Sequence, residues 1–136
     1  MRTQTLIYYL KLLACEGVGV LNARKLLDRC QEVSDIFDQE KLRNILENQV
    51  LSERLMQSIH KIDSNLIADE LDFIVQNNIQ YVGILEEQYP RLLKECADAP
   101  IVLFYKGDLS LLNQNLLSIV GTRKITPYGK EVVENL

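Results

Sequence analysis

The sequence predicts an α+β protein, with a helical first half followed by the start of an α/β unit. Three observations predict it. Apolar residues recur at three and four from the N-terminus to residue 75. The period then turns extended at Ile79, Tyr81, Val82, Ile84 and Leu85, and again at the run I-V-L-F-Y, 101–105. Last, the stretch L-L-S-I-V-G-T-R-K-I-T-P-Y-G-K, 116–130, reads as strand, glycine turn, basic loop and helix start.

The helical elements follow in order. Residues 3–15 place Leu6, Ile7, Leu10, Leu13 and Ala14 on one helical face. G-V-G at 17–19 turns the chain into a second helix carrying Leu21, Ala23, Leu26 and Leu27. Ser34–Phe37 reads as a short helical turn with Ile36 and Phe37 as core plugs, and 39–48 as a helix through Leu42, Ile45 and Leu46. From Leu55 to Val75 the spacing is again helical, with Asp63 or Ser64 capping a fresh helix inside the span. Asn77-Asn78 closes it, because asparagine tolerates left-handed backbone. The domain boundary is placed there: 1–77 helical, 78–136 α/β.

The second half begins with the strand around Gly83. Tyr89-Pro90 turns the chain, R-L-L-K-E-C makes one or two helical turns, and I-V-L-F-Y forms the next strand. Lys106-Gly107-Asp108 turns it again toward Leu116, Leu117, Ile119 and Val120, expected as a strand of a parallel sheet. Thr126 is a good N-cap and Pro127 suits the first helical position. A strand, a loop holding Gly121, Thr122, Arg123 and Lys124, and a helix N-terminus together present backbone N–H groups and a dipole to an anion. Arg123 adds a planar fork of donors suited to phosphate. The alternative reading of the loop is a plain connector. It lacks the spacing of the dinucleotide fingerprint G-x-G-x-x-G, since Gly129 lies eight residues on, and of a P-loop.

Composition narrows the classes. The 136 residues are 47% hydrophobic, enough for one core or two small ones, and the net charge is −4. No global basic field advertises nucleic acid. Residues 121–136 nevertheless hold Arg123, Lys124 and Lys130 against Glu131 and Glu134, a small local excess of positive charge. Cys15, Cys30 and Cys96 form no C-x-x-C, and His60 is the sole histidine. That predicts no metal centre, no disulfide framework and no Ser-His-Asp set, and fits a cytoplasmic location. No segment approaches the ~20 apolar residues of a membrane span. Asp69, Glu70 and Asp72 read as a charged helix surface, and Tyr81, Tyr89 and Tyr105 as sheet or core residues, with base stacking as the alternative.

Three blocks carry a family resemblance: I-L-E-E-Q-Y-P-R-L-L (84–93), A-D-A-P-I-V-L-F-Y-K-G-D-L (97–109) and I-V-G-T-R (119–123). In this order and spacing they resemble the DNA-processing protein A family (DprA, also called Smf). The resemblance implies a helical, sterile-alpha-motif-like domain before a Rossmann-like core, here only its leading strands and first βα unit. It also implies binding of single-stranded DNA and handover to the RecA recombinase during uptake of transforming DNA, with no chemical step and no cofactor. V-G-T-R maps onto Val120, Gly121, Thr122 and Arg123, the implied phosphate contact. The family's glycine-rich S-G-x-A-x-G-I-D block and basic G-R-N-R-type segment have no counterpart in these residues. L-L-A-C-E-G-V-G-V-L-N-A-R-K-L-L further resembles a helix-hairpin-helix motif, in which Gly17 and Gly19 bring backbone N–H groups toward a DNA phosphate and Arg24 and Lys25 add charge. The alternative there is a tight interhelical turn.

Two other functions are weighed. Nucleotide-phosphate-binding enzymes of the phosphoribohydrolase (lysine-decarboxylase-like) type resemble the same corner, but need a P-G-G-x-G-T-x-x-E segment that these residues do not contain. A helical protein-interaction module is the third. An isolated βα half-unit also leaves an open apolar edge, which predicts self-association into a homodimer or loss of order at the C-terminal end.

Overall fold

The computed structural model describes residues 2–135. Helices α1 (Arg2–Ala14), α2 (Val20–Leu27), α3 (Gln39–Leu46), α4 (Gln49–His60) and α5 (Ser64–Gln76) form the first half, with a 3-10 turn at Val33–Phe37 between α2 and α3. Strand β1 (Gln80–Gly83), the single-turn helix α6 (Arg91–Lys94) and strand β2 (Val102–Tyr105) follow. A 3-10 turn at Leu109–Asn113 and helix α7 (Pro127–Glu134) complete the order. The architecture is α+β, helix-rich with a two-stranded sheet.

Caps set the helix limits. Gly17 has φ +81°, the left-handed backbone that glycine adopts without cost. The Asp38 carboxylate accepts from Glu40 N and Lys41 N at 3.0 Å each to open α3. Asp63 accepts from Asn65 N at 2.8 Å to open α5. At the other end of α5, Asn78 is left-handed at φ 51°. Ile79 N reaches back to Ile74 O and Asn78 N to Val75 O, the paired bonds of a Schellman closure.

One apolar core joins the two halves. Leu6, Tyr9, Leu12, Ala23, Leu27, Ile36, Leu42, Ile67 and Ile74 are continuous in it with Val82, Ile84, Tyr89, Ala99, Ile101 and Val102. The tightest junction is at Gly83, where a Cβ would fall inside the Tyr9 ring. Burial pushes the Tyr9 phenol up to about 12, against a hydrogen bond with the Leu85 backbone that lowers it.

The sheet departs from the expectation in two ways. Strands β1 and β2 pair antiparallel, with Tyr81 opposite Phe104 and Val82 opposite Leu103, so the parallel arrangement is absent among the described residues. The run 116–120 forms no strand. It lies in solvent, with Leu117 75% and Val120 93% exposed. Strand structure requires a neighbouring ladder, and no described strand pairs with this run.

Candidate nucleic-acid interface

The corner is built on a helix start that forms as the residues dictate. Thr126 is the N-cap of α7, its Oγ1 accepting from Gly129 N at 3.1 Å, and Pro127 occupies the first turn. Ahead of it, Gly121, Thr122, Arg123 and Lys124 are all exposed. The Thr122 hydroxyl donates to Lys124 O at 2.7 Å, closing a small turn around Arg123. Among the described residues Arg123 makes no ion pair: Lys130 takes Glu134 at 3.6 Å, and Asp98 is in none of the ion pairs found. The loop thus offers two uncommitted cations beside a capped helix N-terminus. Gly121 is not among the left-handed residues, and a Cβ there would meet nothing within 4 Å. Its small size therefore leaves the approach to the loop open and relieves no backbone strain.

The hairpin residues fall into two groups. Gly17, Gly19 and Lys25 are exposed. Gly19 is extended (φ −72°, ψ 167°) and caps α2. Arg24, by contrast, is engaged. Its guanidinium donates to Lys94 O at 2.6 Å and Cys96 O at 2.9 Å, with the Asp28 carboxylate 3.8 Å from Nε. The two loops belong to different regions of the chain, and among the described residues no hydrogen bond or ion pair found joins them.

Spacing gave no sign of one residue that carries the geometry. Asp35 is buried and accepts from Gln31 N, Glu32 N and Lys41 Nζ at 3.1, 3.0 and 2.6 Å. The Lys41 ammonium, then the backbone bond from Glu32, hold its carboxyl below the usual range. Tyr89 is buried, its hydroxyl donating to Pro100 O at 2.7 Å, which assigns it to the core. Tyr81 and Tyr105 are half-buried on the sheet. His60 is exposed, its Nδ1 2.6 Å from Met56 O. Among the described residues no group of His, Cys, Asp and Glu is placed to hold a metal, and no helix is long and apolar enough to cross a membrane.

The antiparallel strand pair, the basic loop and the capped start of α7 all lie in the part of the chain that the comparisons match. Residues 80–136 match the family described as DNA recombination-mediator protein A. Over this segment the chain is similar to the DprA family. It is 47% identical over 62 residues to the DNA processing protein DprA of Bacillus subtilis (strain 168) and 43% identical over 54 residues to that of Streptococcus pneumoniae (strain ATCC BAA-255 / R6). These matches cover 45% and 40% of this chain, and only 21% and 19% of the relatives. No solved structure matches the chain.

Proposed function

We propose that this chain acts in DNA processing as a recombination mediator, binding single-stranded DNA and handing it to a RecA recombinase without a chemical step. In this reading residues 1–77 are a helical, sterile-alpha-motif-like domain. Residues 78–136 are the leading strands and first βα unit of a Rossmann-like domain. Arg123 contacts a DNA phosphate, Gly121 and Thr122 allow close backbone approach, and Lys124 adds charge. Gly17, Gly19 and Lys25 form a weaker second contact at the hairpin. The observation that carries the reading is the solvent-exposed, unpaired Arg123 next to the Thr126-capped start of α7, within the segment that matches the family.

Fluorescence anisotropy of a labelled oligothymidylate, titrated with the chain at low salt, tests it. Saturable binding that unlabelled single strands displace, and that a nucleoside monophosphate does not, is the expected result. Displacement by the monophosphate at low concentration would favour a nucleotide-phosphate enzyme. No binding at any salt concentration would contradict the DNA reading for these residues.

A further inference from the structure

Arg24 ends in a place that a surface cation on a DNA-contacting hairpin would not occupy. It starts from α2 in the helical half, yet its two terminal nitrogens reach carbonyls seventy and seventy-two positions on, Lys94 O and Cys96 O. Lys94 O is the last carbonyl of α6, a helix of four residues, and Cys96 O lies in the turn just after it, where it also accepts from Ala99 N. One turn is too short to hold itself, since helix nucleation costs more than a single turn returns. Its last carbonyls have no partner inside the helix. A guanidinium answers both needs, because its planar fork reaches two acceptors at once, whereas an ammonium acts as a single point of charge. Asp28, one turn along α2, steadies the fork from the other side at 3.8 Å from Nε. The Arg24 side chain keeps only 19% of its surface exposed, and its charge also acts on the buried Tyr89 phenol beside α6.

We infer that Arg24 is a strap that holds α6, and with it the Tyr89–Ala99 segment, against the helical half, and that it is a positioning residue, not a DNA contact. The strap stands apart from the Tyr9–Gly83 junction and clamps the opposite end of the connection between β1 and β2. Together they tie the helical half to the β1–β2 segment at two places, one on α1 and one on α2.

Amide hydrogen exchange on the full chain tests this. The probes are Glu95, Cys96 and Ala99, whose N–H groups bond to Arg91 O, Leu93 O and Cys96 O at 3.3, 3.1 and 3.2 Å. Arg24→Ala should speed their exchange about tenfold or more, the factor expected for losing charge-assisted hydrogen bonds. Interior amides of α1 should keep wild-type protection. Arg24→Lys should fall between, and it decides the matter if the alanine variant does not fold. Unchanged exchange in Arg24→Ala, an equal increase in α1, or full wild-type protection in Arg24→Lys would each overturn the strap. So would a loss of oligothymidylate affinity in Arg24→Ala with α6 exchange unaltered.

Discussion

Residues 101–105 and 116–120 read almost alike, I-V-L-F-Y beside L-L-S-I-V. The first contains β2, which pairs with β1 and has Ile101 and Val102 in the core. The second has the same apolar character and lies bare, with Ile119 57% exposed. A few residues later α7 forms in equal isolation from the core, held by the Thr126 cap and Pro127. A helix start is local chemistry that travels with its residues. A strand is a relation between segments and exists only where a partner lies alongside.

That contrast is open to direct attack, most strongly at two glycines. Gly83→Val would drive a branched side chain into the Tyr9 ring, whereas Gly121→Val meets open space and a backbone that is not left-handed. The first should cost at least the ~1–3 kcal/mol of an overpacked core and lower the melting temperature sharply. The second should leave the melt unchanged while weakening any ligand that approaches the loop closely. A pair of isoleucines gives the next contrast. Ile101→Ala should cost about 2–5 kcal/mol in denaturant unfolding, and Ile119→Ala should stay within roughly 0.5 kcal/mol of wild type.

Asp35 makes a pH-dependent version of the same test. Its folded-state pKa is depressed below 3.8, so its contribution is full above that value and is lost as pH falls through the lower folded value. Lys41 runs the other way. Its pKa is raised above 10.5 by Asp35, so its contribution holds below 10.5 and is lost as pH rises through the folded value. Asp35→Asn should flatten the melting temperature against pH in both windows. The most local effect is at Thr126→Ala. Loss of the cap should fray α7 by about 0.5–2 kcal/mol in exchange measurements on 128–131 and leave the global melt where it was.

Most helices were legible because their signals are short-range. The Asp63 cap, the Asn77-Asn78 stop and the Thr126-Pro127 start all lie where the residues predict them. Two kinds of feature were not legible. One is contact between distant residues: nothing in G-V-G-V-L-N-A-R-K-L-L shows that Arg24 will reach Lys94 and Cys96, and its charge alone favoured a phosphate reading. The other is pairing direction. An apolar run shows that a strand is affordable, but β1 and β2 pair antiparallel and 116–120 does not pair at all among the described residues. Gly83 did carry a usable sign, since a glycine inside a strand pattern marks a close approach, here by Tyr9. For the candidate interface, the residue types in V-G-T-R and their exposure were legible. Whether Arg123 would pair with Asp98 or Glu131 was not, because that depends on how the loop sits.

If Arg123 contacts phosphate, the salt dependence of oligothymidylate binding registers it. Each phosphate contact releases counterions, so the slope of log affinity against log salt counts contacts, at about 0.7 per contact for a single strand. Arg123→Ala should weaken binding across all sequences and reduce that slope by roughly one contact's worth, with the melting temperature unchanged. Arg123→Lys should recover the slope and only part of the affinity, because charge returns without the fork. A slope identical to wild type in Arg123→Ala, with affinity per folded molecule also unchanged, would contradict the assignment of the corner as a phosphate site.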